Sequence, residues 1–170
     1  PLADRYPWYA LVELAGDQHD ALAADLETEL AAAIDAGLVG DVAIAKNDSE
    51  SEDFWRLRDS ISEAERAEGP ALQHDVSVPV DLMPRFIAEN PARLEAAFPG
   101  LRALSFGHLG DGNIHHHVHP PADVDGKAWL TANGEAASRI VYRHVIELGG
   151  SISAEHGIGQ MKRDILAELD

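Results

Sequence analysis

Five of the nine histidines in this chain fall within FGHLGDGNIHHHVHP, residues 106–120, around a turn-like Gly-Asp-Gly-Asn. Imidazole at that density can ligate a divalent cation, move a proton near neutral pH, or pack as a hydrogen-bonded polar core group. Strand geometry sorts the cluster. If 113–119 is extended, Asn113, His115, His117 and His119 share one face, while Ile114, His116 and Val118 share the other. His108 ends the preceding strand, and a tight LGDGN connection folds it back toward His115. Two neutral imidazoles there suit Zn²⁺ or a similar ion, and a carboxylate would complete the three-ligand open site that catalysis needs. The spacing H-x₆-H is not specific, and a polar strand rich in imidazole remains the competing reading. His116 faces Ile114 and Val118 and is expected to be structural. His119, ahead of Pro-Pro, is expected to be solvated. His144 lies on an apolar helix stripe and is expected to be packed and hydrogen-bonded.

A second dense stretch, SISAEHGIGQMKRD (151–164), pairs Glu155 with His156 ahead of Gly157 and Gly159. Adjacent strand residues face opposite ways, so these two could serve one site only where the strand breaks up, which Gly157 permits. A surface carboxylate at Glu155 is the alternative.

These stretches must be carried by regular elements. WYALVEL (8–14) and DVAIAK (41–46) read as strands. Between them Leu22, Leu26, Leu30, Ala33 and Ile34 recur at helical spacing and Gly37 sits at the C-terminal cap. Residues 49–69 read as a helix with Phe54, Leu57 and Ile61 on one stripe. ALQHDVSVP alternates as a half-buried strand ended by Pro79, and 80–98 is helical but interrupted by two prolines. LRALSFGH and NIHHHVHP form a hairpin through LGDG. Residues 125–148 form a long helix with Trp129, Ala136, Ile140, Val141, Val145 and Leu148 inward. GGSISAEHGIG returns to a strand, and QMKRDILAEL starts a further helix. The expected fold is α+β: one mixed or antiparallel sheet of ferredoxin-like type, covered by helices mainly on one face.

The 170 residues suit one domain. Thirteen basic against thirty acidic residues give a net charge of −17, which repels phosphate backbones and excludes nucleic acid as an expected partner. It also means that an anionic substrate needs a local positive centre. With no cysteine, any metal must be held by His, Asp or Glu. No signal peptide or long apolar run is evident, so a soluble, cytoplasmic protein is expected, peripheral to a membrane at most through its electron acceptor. The chain opens at Pro1 straight into WYALVEL and stops at Asp170 inside a helical pattern, so a piece of a larger protein is expected.

Taken together, GHLGDGNIHHHV and SAEHGIGQMKRD resemble the C-terminal domain of the FAD-linked oxidases of the vanillyl-alcohol oxidase superfamily. The branch is that of D-lactate dehydrogenase, D-2-hydroxyglutarate dehydrogenase and the D subunit of glycolate oxidase. WRLRDSISEA and HDVSVPV support the likeness, which spans essentially the whole chain. The resemblance implies a single C-terminal cap domain, residues 1–170, on the substrate side of a flavin, with FAD held by a separate N-terminal domain. It implies oxidation of a D-2-hydroxy acid to the 2-oxo acid. His108, His115 and Glu155 match ligands of a divalent metal, expected to be Zn with Mn or Fe as alternatives. His156 matches the catalytic base, Arg58 an arginine gripping the substrate carboxylate with Ser62 beside it, and Asn113 a residue lining the same site. Two positions depart from the pattern. Gln73 stands where close relatives often have Lys, and His117, which shares the face of His115, stands where they often have Asn. Both are assigned to the substrate side, with contact to the metal as the alternative for His117, and they leave the identity of the hydroxy acid open. The implied partners are a small 2-hydroxy acid, the N-terminal FAD domain and an electron acceptor, with homo-oligomerisation left open. Arg58 could instead pair with Glu63 or another acid of its helix. A non-catalytic metal-binding module and a metal-dependent hydrolase are the rival functions, although a helical H-E-x-x-H is missing from both dense motifs.

Overall fold

The computed structural model of the chain describes residues 2, 4–17, 19–155, 157, 158, 162, 165, 167 and 168, without the side chains of 19 and 20. Two compact units emerge, Pro1–Glu65 and Arg66–Asp170.

The first unit carries helix α1 (His19–Asp35), helix α2 (Asp48–Asp59) and most of helix α3 (Ile61–Ala67). Along α1, Leu22, Leu26, Leu30 and Ala33 are the half-buried stripe, whereas Ile34, expected on it, is exposed, and Gly37 follows at a φ of 69°. Asn47 caps α2 by accepting from the Glu50 amide, with Asp48 and Glu50 in the first turn and Arg56 and Arg58 in the last. The single helix expected over 49–69 is two, because the chain turns at Ser60 between α2 and α3. Residues 8–14 and 41–46 form no strand. Trp8, Tyr9, Val12 and Ile44 are exposed, so neither segment has found the pairing that a strand requires.

The second unit holds a three-stranded sheet in the order β1-β3-β2, with both pairs antiparallel. Strand β1 is Leu72–Ser77, β2 is Arg102–His108 and β3 is Asn113–His119. Helix α4 (Met83–Ala97) follows a short 3₁₀ turn at Val80–Leu82, and helix α5 (Gly126–Glu147) follows β3. The prolines do not break α4. Pro84 sits in its first turn, where no amide donor is needed, and the helix runs on through Pro91. Asp125 caps α5 by accepting from the amides of Lys127 and Ala128 at 3.0 and 3.1 Å.

Helices α4 and α5 pack on one face of the sheet. Val76, Ile114 and Val118 from the strands meet Phe86 and Leu94 of α4 and Val141 and Val145 of α5 in a fully buried core. Ala137 rather than Ala136 takes the inward position on α5. Three histidines lie in this core. The His74 Nδ1–H donates to the His116 carbonyl at 2.9 Å, so the Ser138 hydroxyl donates to His74 Nε2 at 2.9 Å. Asn90 donates to His144 Nδ1 at 3.2 Å, which leaves the His144 Nε2–H facing Glu89, 3.3 Å away. His116 meets the Phe86 ring edge-on at 5.2 Å and pairs through Nδ1 with the Ser105 hydroxyl at 2.8 Å. Burial pushes His74 down to about 4 and His116 down to about 3, and it lowers His144 as well. All three are neutral structural groups near pH 7. The expectation for His119 fails, because its residue is buried at the end of β3 rather than solvated.

Candidate functional site

The other face of the sheet carries the polar residues that the alternation separated from the core. Register places Gln73 opposite His117, Asp75 opposite His115 and Ser77 opposite Asn113. On the other side of β3, Leu104 stands opposite His117, Phe106 opposite His115 and His108 opposite Asn113. His115 and His117 therefore project from the central strand, flanked by neighbours on both sides. The Phe106 ring lies 5.1 Å from that of His115 and 5.2 Å from that of His117, filling the space between them. A hollow of about 150 Å³ opens here, lined by Gln73, His74, Asp75, His115 and His117.

The GDGN turn brings His108 back. The Asn113 amide donates to Asp111 Oδ1 at 3.0 Å, closing an Asx-type turn. Gly112 adopts a φ of +77°, and its carbonyl accepts from the Val78 amide at 3.1 Å. A Cβ at position 112 would sit 2.2 Å from the Val78 carbonyl oxygen, so only glycine fits. As a result the His108 and His115 rings meet nearly edge to face, with centroids 6.0 Å apart.

The chain after α5 reaches the site along the free edge of β1. Ser77 and Ser151 exchange both backbone hydrogen bonds, at 2.9 and 2.8 Å, and the Ala154 amide donates to the Asp75 carbonyl at 3.3 Å. Gly150 allows this approach, since a Cβ there would lie 2.1 Å from the Ser77 carbonyl. The strand expected over this stretch reduces to that one bridge, because the chain turns away after Ser151. The Glu155 amide donates to Asp75 Oδ2 at 2.8 Å, while Asp75 Oδ1 lies 3.6 Å from His115 Nδ1. Lys162 steadies the same segment by donating to the Ile152 carbonyl at 2.9 Å. Burial lowers this ammonium, and the charge of Asp75 opposes that shift.

The residues singled out in the sequence thus divide. His108, His115, His117, Asn113 and Gln73 share one sheet face, and the backbone of Glu155 is tied to a carboxylate on it. His156 lies outside the described residues. Arg58, half-buried in the last turn of α2, and Ser62, exposed in α3, lie in the first unit. Asn113 is buried, yet neither polar atom of its amide has a hydrogen-bond partner among the described residues. Leaving such a group unpaired costs about 1–3 kcal/mol. Asp75 and Phe106 were not expected. Both share the face of His115, a fact that depends on cross-strand register, which a linear sequence does not give.

The donor types, two imidazoles in ring contact and a glutamate tied to Asp75 through its backbone amide, are ones that divalent cations take, but Glu155 itself is exposed. Among the described residues, no three His, Asp or Glu side chains stand close enough together to hold an ion. No helix among them is long and apolar enough to cross a membrane.

Comparison with known proteins shows the family. The family model described as FAD linked oxidases, C-terminal domain, matches residues 1–169. A D-2-hydroxyglutarate dehydrogenase of Xanthomonas citri pv. viticola is 37% identical over 167 residues, covering 98% of this chain and 34% of that protein. A mitochondrial D-2-hydroxyglutarate dehydrogenase of Bos taurus is 33% identical over 160 residues, covering 94% of this chain and 28% of the relative. A probable mitochondrial enzyme of the same name from Oryza sativa subsp. indica is 36% identical over 159 residues. The chain spans about a third of the length of these curated relatives. With a family model matched along nearly all its residues, this chain belongs to the C-terminal domains of the FAD linked oxidases.

Proposed function

We propose that this chain acts as one cap domain forming the substrate side of an FAD-dependent dehydrogenase that oxidises a D-2-hydroxy acid to the 2-oxo acid. D-2-hydroxyglutarate is the first candidate, because the relatives bear that name; lactate and glycolate are the alternatives. The observation that carries the reading is the meeting of His108 and His115 on the sheet face away from α4 and α5, beside the anchored Glu155 backbone.

His108, His115 and the Glu155 carboxylate would hold a divalent cation, Zn²⁺ before Mn²⁺ or Fe²⁺ given two imidazole donors. Such an ion supplies Lewis acidity, lowering the pKa of a coordinated hydroxyl. The flavin, held by the N-terminal domain, supplies the hydride acceptor. What remains belongs to this chain. His156 takes the hydroxyl proton, a task that imidazole suits as a general base. Arg58, with a planar fork that matches a carboxylate, and Ser62 are assigned to the substrate carboxylate on the resemblance alone. Asn113 offers its buried amide to substrate or flavin, which removes the cost of leaving it unpaired. Gln73 and His117 line the hollow and select the hydroxy acid. Gln73 is neutral, so discrimination there runs through hydrogen bonds rather than through an ion pair.

The test is dye reduction by the full-length flavoprotein with a panel of D-2-hydroxy acids, lactate through 2-hydroxyglutarate, and their L-enantiomers. Activity with one or more D-acids and none with L-acids is expected. No reduction with any of them, or hydrolysis of an ester or amide at the same site, would replace this reading with one of its rivals.

A further inference from the structure

From the arrangement around β1 we infer that Asp75 is a positioning residue that joins the two halves of the cation site, orienting His115 with one carboxylate oxygen and anchoring Glu155 with the other. The inference rests on the proposed ligand set and assigns a residue that set does not contain. The geometry is specific. Asp75 is 7% exposed, as a carboxylate seldom is unless it is engaged. Oδ2 accepts the Glu155 amide at 2.8 Å, and the Asp75 carbonyl accepts the Ala154 amide at 3.3 Å. Oδ1 faces His115 Nδ1 at 3.6 Å, across the β1–β3 register pair. One residue therefore holds the segment that delivers Glu155 and faces the ring that must point its lone pair at the ion.

The chemistry follows from the tautomer. A carboxylate can only accept, so a His115 ring that turns Nδ1 toward Asp75 carries its proton there. That leaves Nε2 unprotonated as the ligating atom. Ligating histidines commonly give their second nitrogen to a carboxylate in this way, which fixes the ring and raises its basicity. The separation of 3.6 Å is an approach of the two groups rather than a formed hydrogen bond, and the inference requires it to shorten when an ion is bound.

Two measurements on the full-length protein test this, with Zn²⁺ alone as the probe. In zinc-loaded crystals, anomalous scattering should place the ion against His115 Nε2, with Nδ1 within hydrogen-bond distance of Asp75. An ion on Nδ1, or Nδ1 facing another group, overturns the inference without any substitution. The second is zinc affinity by chelator competition for the unsubstituted protein, D75N, H115A and the double variant. Asparagine keeps an acceptor for the Glu155 amide but loses the anionic partner for His115. D75N should weaken zinc binding by about 10–100-fold, and should weaken it far less in the H115A background. An equal loss in both backgrounds means that Asp75 acts only as scaffold and overturns its role. Undiminished affinity in H115A overturns the ligand assignment itself. Weakened H115A with undiminished D75N overturns Asp75 alone.

Discussion

His115 and His156 sit in the two dense motifs and are given different tasks, which substitutions can separate. A ligand loses its ion when removed, whereas a base loses only the proton transfer. In the full-length protein, H115A should lower bound metal sharply. H156A should retain metal while turnover falls by roughly 10²–10⁴-fold, read by metal analysis and steady-state rates on the same preparations. Equal loss of metal in the two variants would make His156 a ligand instead. At this scale the sequence was informative wherever period two applied. The alternation separated His115 and His117 from His116, and the buried, edge-packed His116 ring shows why the separation is physical. It failed for His119, whose burial at the end of β3 is decided by tertiary packing. Asp75 was illegible as a site residue because its relation to His115 and Glu155 depends on strand register and on a contact eighty positions along the chain.

Among the elements, β3 matters most, because it is central and hydrogen-bonded on both sides, with His115 and His117 on the face away from α4 and α5 and His116 in the core. The turn before it fixes where His108 arrives. G112A should therefore loosen the hairpin. The residue would be forced to a φ of +77° with its Cβ 2.2 Å from the Val78 carbonyl. A loss of about 1–3 kcal/mol is expected for holding a non-glycine residue there, visible as a lower urea midpoint. An unchanged midpoint would mean that the turn relaxes freely and does not set the site. The hairpin, α1 and α5 were legible because local signals mark them: GDGN, a leucine stripe, and Ile140, Val141, Val145 and Leu148 at helical spacing; α4 was legible as a helix, but its two prolines were misread as interruptions. WYALVEL and DVAIAK were misread because an apolar run specifies only that burial would be favourable. Pairing needs a partner strand, and Trp8 and Tyr9 stay exposed without one.

For the molecule as a whole, the buried histidines make stability depend on pH. His74 and His116 titrate near 4 and 3 when folded, because burial disfavours the charged ring, and near 6.5 when unfolded. The unfolded chain thus binds more protons below pH 6.5. Stability is fully present above that value and falls as the pH drops from about 6.5 toward 3. Urea midpoints should decline over this window, and H74Q should make the decline shallower. A slope that H74Q leaves unchanged would show that His74 does not carry this linkage. The central claim concerns the opposite face of the same sheet, where His108, His115 and Glu155 are to serve a flavin. Its most direct test is anaerobic bleaching of the flavin in the full-length protein by D-2-hydroxyglutarate, before and after chelation. Bleaching that chelation abolishes and Zn²⁺ or Mn²⁺ restores is predicted. Bleaching that proceeds unchanged in chelator would contradict the account.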